Sequence, residues 1–106
     1  MSQAVFTYIT TPNKVTAQKI AKTLLQENLI ACANILPEME SIFNWQGQTQ
    51  KSNECVLILK SQERHSTKIK ERVLALHSYS CPCVVSWPIP DGHSDFLQWI
   101  FEETNK

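Results

Sequence analysis

An α+β domain built on one antiparallel sheet is the fold class this sequence predicts, and three observations carry the prediction. Four runs rich in β-branched, aromatic and aliphatic residues are spread along the chain. Two stretches with apolar residues at helical spacing follow the first and the third of them. Only a polar turn joins the second run to the third, so those two form a hairpin. The order is β-α-β-β-α-β with one more helix at the end. That is the split β-α-β, ferredoxin-like arrangement: four antiparallel strands with two helices on one face.

Each element has its own warrant. "AVFTYIT", Ala4 to Thr10, is a β-branched and aromatic strand. Thr11 suits an N-cap with Pro12 at the first helical position, and Val15, Ile20, Ala21, Leu24 and Leu25 make the apolar stripe of a helix ending near Asn28. "LIACANIL" is extended from Leu29 to Leu36, Pro37 bends the chain, and "SIFNW" continues to Trp45. Gln46 and Gly47 open a polar turn that runs through "QTQKSN", and "ECVLILK", Glu54 to Lys60, is the return strand. A second helix fits Gln62 to His77 with Ser61 as cap, because Ile69, Val73 and Leu76 share one face. "VVSW", Val84 to Trp87, is the fourth strand, stopped by Pro88 and Pro90. Ser94 caps a last helix whose apolar side is Phe96, Leu97, Ile100 and Phe101.

The strands are apolar on both faces. In "ECVLILK" one parity gives Cys55, Leu57 and Leu59, and the other gives Val56 and Ile58. Two helices cover one face only, so the second face implies a partner subunit. The hairpin tip projects, and Trp45 lies there beyond reach of its own helices, so it is expected to pack on a neighbouring subunit.

Bulk composition narrows the function. The 106 residues suit one domain, residues 1–106. Ten basic residues balance ten acidic ones, and Arg64 and Arg72 are the only arginines, so no electrostatic footprint for nucleic acid exists. "MSQAVFTYITTPNK" lacks the basic start and apolar stretch of a signal peptide, and no apolar run is long enough for a bilayer. A cytoplasmic protein with four free thiols (Cys32, Cys55, Cys81, Cys83) and no membrane partner is the expectation. Two glycines leave no phosphate loop, and no serine lies in a nucleophile elbow. An acyl-phosphate hydrolase of this strand order would need an arginine near the N-terminus, and none precedes Arg64. The expectation is a binding protein rather than an enzyme.

"HSYSCPC", residues 77 to 83, concentrates the chemistry. Cys81 and Cys83 admit three readings: small apolar residues where a strand begins, soft metal ligands, or a redox or nucleophilic pair. If the segment is extended, the two residues point to one face about 6.5 to 7 Å apart by strand rise, too wide for a disulfide, whose Cβ atoms need about 4 Å. A metal would then need further donors, and His77 is the nearest nitrogen in sequence. His77 itself falls in the last turn of the second helix, where an imidazole suits the negative end of the dipole. Tyr79 packs or hydrogen-bonds at the turn, and Pro82 straightens the chain into the fourth strand. Glu38 and Glu40 follow the Pro37 bend and face water, and His93 and Asp95 belong to the start of the last helix.

Several stretches together resemble the CutA divalent-cation tolerance family. "ITTPNKVTAQKIAKTLLQENLIACANILP" is similar to that family's first strand, helix and second strand. "SIFNWQG" resembles its Y-x-W-x-G segment, and Glu54 with "LILKS" resembles the glutamate and lysine of its third strand. "HSYSCP" is similar to its H-P-Y-x-x-P motif at His77, Tyr79 and Pro82, and "DFLQW", Asp95 to Trp99, echoes its D-Y-L-x-W. The resemblance implies a ferredoxin-like homotrimer, cytoplasmic and linked to tolerance of divalent metal, copper especially. It also departs from the pattern. Ser78 stands where the family usually has proline, Cys83 where it commonly has an acidic residue, and Ile9 where some members carry cysteine. A thiol in place of a carboxylate shifts preference toward softer ions. Metal ligands are therefore expected among Cys81, Cys83 and His77. The competing expectation is a signalling or structural trimer that takes a small ligand or a protein in its inter-subunit clefts.

Overall fold

The computed structural model describes residues 2–106. Its elements run β1 (Ala4–Thr11), α1 (Lys14–Gln26), β2 (Cys32–Trp45), β3 (Gln48–Gln62), a 3-10 turn (Glu63–His65), α2 (Ser66–Leu76), β4 (Val84–Pro88) and α3 (Ser94–Thr104). The four strands form one sheet in the order β2-β3-β1-β4, every neighbouring pair antiparallel. The ferredoxin-like arrangement predicted from the order of elements is the one observed.

Alternate residues of β1 and β3 reach the helices. Ile9, Leu57 and Leu59 pack with Ile20 and Leu24 of α1 and with Ile69 and Val73 of α2 in one buried cluster. Full burial of each such side chain stabilises by about 1.5–3 kcal/mol. The helix ends are fixed by local chemistry. The cap of α1 is Asn13 rather than Thr11: its Oδ1 accepts the Thr16 N–H at 2.8 Å. Thr11 ends β1 instead, and its hydroxyl donates to the Asn13 carbonyl. At the other end Asn28 takes a left-handed φ of 58°. The Leu29 N–H then reaches the Leu24 carbonyl, and the Asn28 N–H reaches Leu25. This double closure brings Leu29 back onto Leu24 in the core. Ser61 does not cap α2: it lies in β3 and donates its hydroxyl to the Leu29 carbonyl. His77 follows the helix as its C-cap, with extended backbone, instead of lying in its last turn. Ser94 likewise is the first residue of α3, and His93 holds the cap position.

Two larger corrections concern the hairpin. The polar stretch after Gly47 is strand, not loop. β3 begins at Gln48, and the turn is only Gln46 and Gly47, with φ of 52° and 80°. Positive φ at both central residues is the two-residue turn whose twist matches the flanking strands. The bend at Pro37 is a β-bulge. Leu36 pairs with Val56 and Met39 with Glu54, so β2 carries one residue more than β3 there. Proline has no N–H to lose at such a site. Beyond the bulge the parity of β2 is reversed. Ser41, Phe43 and Trp45 share a face with Ser52, Gln50 and Gln48, to which they are paired. Without the extra residue, Phe43 and Trp45 would point from the opposite side. The arm gives the molecule extents of 44 × 26 × 23 Å and a radius of gyration of 14.4 Å, against about 13 Å for a compact chain of this length.

The second face of the sheet is not wholly bare, because α3 crosses one end of it. Ile100 is fully buried there, and the Gln62 amide donates to the Thr104 hydroxyl at 2.8 Å. Ala4 and Gln62, paired across β1 and β3, are buried at that end. Past α3, Leu36, Val85 and Trp87 remain exposed. Trp87 packs edge-on against Phe6, ring centroids 4.1 Å apart. No helix among the described residues is long and apolar enough to cross a membrane.

Candidate functional site

A cleft of about 560 Å³ opens where β1 stops and the β2–β3 arm goes on alone. Thr10 and Glu54 lie at its base, Ser41, Phe43 and Trp45 line it from the arm, and Tyr79, Cys81 and Cys83 line it from the segment between α2 and β4. The bulge at Pro37 decides which arm residues reach it, since only the reversed parity turns Phe43 and Trp45 this way.

His77 ties that segment to the sheet. Its Nδ1 accepts the Tyr79 N–H at 3.1 Å, so the ring proton sits on Nε2, which donates to the Thr10 carbonyl at 2.7 Å. Both ring nitrogens are in use, and the side chain is buried. Two residues on, the Tyr79 hydroxyl donates to Glu54 Oε2 at 2.8 Å. Burial, then the hydrogen bond to Glu54 and the carboxylate's charge, push the Tyr79 hydroxyl up to about 12. A chain of contacts thus runs from α2 through the end of β1 to β3.

Cys83 is half-buried and lines the cleft near Thr10 and Glu54. Burial pushes its thiol up, the Glu54 charge adds to the rise, and the nearness of Thr10 opposes it. Cys81 is exposed at the rim. All four cysteines are free.

The residues expected from the sequence therefore divide. Cys81 and Cys83 open onto one cleft, whereas His77 stands behind it with its nitrogens occupied. Among the described residues no three His, Cys, Asp or Glu side chains gather as a metal cluster. The partnership of Glu54 with Tyr79, 25 residues apart, and the aromatic wall of the arm are features that sequence reasoning missed. An acidic residue at the head of the apolar run Cys55–Leu59 was the available signal.

Comparison with known proteins gives a consistent result. The CutA1 family, described as "CutA1 divalent ion tolerance protein", matches residues 5–103. The divalent-cation tolerance protein CutA of Thermus thermophilus is 43% identical over 96 residues, 91% of this chain and 93% of that one. The chloroplastic protein CutA of Arabidopsis thaliana is 36% identical over 101 residues, 95% of this chain and 56% of the relative. The solved structure of the periplasmic divalent cation tolerance protein CutA from Archaeoglobus fulgidus superposes with a TM-score of 0.92 at 39% identity, covering 95% of this chain and 98% of that one.

Proposed function

This chain belongs to the CutA1 divalent ion tolerance family, and from that premise we propose that it serves metal tolerance by binding the metal, copper above all, as a cytoplasmic homotrimer and not as an enzyme. The observation that carries the metal reading is the opening of Cys81 and Cys83 onto one cleft. Paired thiolates favour soft ions such as Cu(I) over Mg²⁺ or Ca²⁺. Both thiols must lose their protons to bind. Because Cys83 is already held up by burial and by Glu54, binding weakens as pH falls. With both nitrogens of His77 engaged, any donor beyond the two sulfurs comes from a second strand or from a neighbouring copy.

The trimer reading draws on exposed apolar surface. Leu36 on one outer strand and Val85 and Trp87 on the other are exposed, and Ile42, Phe43 and Trp45 are exposed along the arm. Surface of that kind marks an interface. Assembly would also cover the open edges at β2 and β4.

The test is a Cu(I) titration under reducing conditions on the parent chain and on a Cys81→Ser, Cys83→Ser double variant. Saturable binding by the parent, lost in a double variant that keeps its fold and mass, is expected. Equal affinity in both rules out the thiol site. No binding above background by the parent favours the competing reading, a signalling or structural trimer that takes a small ligand or protein in its inter-subunit clefts.

A further inference from the structure

The chain has no net charge, yet its charges are unevenly placed. Residues 14–27 and 66–77, which hold α1 and α2, carry six of the ten basic residues and two of the ten acidic ones, a net +4. Lys14, Lys19, Lys22, Lys68 and Lys70 are exposed. Arg72 alone of the six is in an ion pair, with Glu27. Residues 91–106, which hold α3, carry four acidic residues and one basic one, a net −3. Asp91, Asp95 and Glu102 are exposed there, and Lys106 pairs with Glu103. α1 and α2 seal one face of the sheet, and α3 crosses the other. The sheet therefore stands between two groups of opposite sign, and no ion pair among the described residues joins them.

We propose that the exposed side of the α1–α2 layer is a docking surface for a second copy of this chain, whose α3 end supplies the acidic complement. Opposite charges attract only where they can approach. Within one chain the fold keeps these two groups on opposite faces, so each meets its complement on another copy. Zero net charge removes the overall repulsion that would keep copies apart. The contact joins two different surfaces, so two copies do not exhaust it and further copies can add. Neither surface includes the arm or the exposed apolar residues assigned to the trimer, so the contact forms between whole assemblies and does not depend on how each is built. Exposed charge pairs are individually weak and are screened by salt. The association is therefore reversible and belongs to concentrated protein at low ionic strength.

Light scattering on the full chain at pH 7, over a series of protein and salt concentrations, tests the proposal. In concentrated solution the average mass in about 10 mM salt should be at least about twice its value in about 0.5 M salt, where the Debye length shrinks to a few ångströms. A quadruple variant, Lys19→Glu, Lys22→Glu, Asp91→Lys and Glu102→Lys, keeps the net charge at zero but erases the separation. It should keep its parent's mass in high salt and lose the rise in low salt. A variant that still rises overturns the docking surface, because net charge alone would then explain the association. A parent whose mass is the same in both salts also overturns it, and leaves the basic layer to an anionic partner of another kind. The high-salt mass reads the trimer separately, so failure of one reading is not mistaken for failure of the other. Should the variant not fold, the salt series on the parent decides alone.

Discussion

The two ends of the sheet differ in how they are held. At one end Ile9, Leu57 and Leu59 are sealed beneath two helices, with no exposure at all. At the other, the arm beyond the bulge carries Ile42, Phe43 and Trp45 between 42% and 64% exposed. The first end satisfies itself. The second offers aromatic surface, a buried unpaired acid and two thiols to something outside the chain. Burial patterns thus separate the sealed part of the molecule from the part proposed to bind, and the bulge at Pro37 marks the border.

Substitutions on the two sides should behave differently. The largest effect is expected on the sealed side. Leu57→Ala leaves a cavity among fully buried neighbours and should cost about 2–5 kcal/mol, read as a lower midpoint in chemical denaturation. A loss under about 1 kcal/mol would mean that the core is not the sealed unit described. On the open side Trp45→Ala should hardly touch the fold of one chain, because the ring is 46% exposed within it. In an assembly that buries the ring, the loss rises toward about 3–5 kcal/mol. Light scattering on dilution should therefore show the variant falling apart where the parent holds. A variant with parental mass and thermal midpoint makes Trp45 an ordinary surface residue.

The smallest effect lies at the border between the two ends. The Tyr79 hydroxyl is raised from its ordinary 10 to about 12. A group whose folded pKa is raised stabilises fully below the unfolded value and loses that contribution as pH rises through the folded one. Stability should therefore decline between about pH 10 and 12, by no more than about 1 kcal/mol because solvent screens the group. Denaturation midpoints of the parent and Tyr79→Phe across that window check it. The decline should be shallower in the variant, and parallel curves would show that Tyr79 is not responsible.

The same border separates what sequence reasoning reached from what it missed. Apolar periodicity located α1, α2 and the inner parts of β1 and β3, because those residues answer to a core. It failed from Gln48 to Asn53, where the strand is polar: the arm has no core of its own to face, so no alternation is imposed. Pro37 was legible as a bend, but the extra residue was not, since its sign is a pairing register with a distant strand. His77 was legible as the end of α2, but its bond to Thr10 spans 67 residues and only the folded chain brings them together. The thiols were found by their spacing. The acid that gives the cleft its character was noticed only as part of a family pattern.

Mass in solution tests most directly the claim that one end of this sheet is completed by other copies. Size-exclusion chromatography with light scattering, run on the parent chain at micromolar concentration in native buffer, should return about three times the mass of one chain. A stable species with the mass of a single chain would contradict the account.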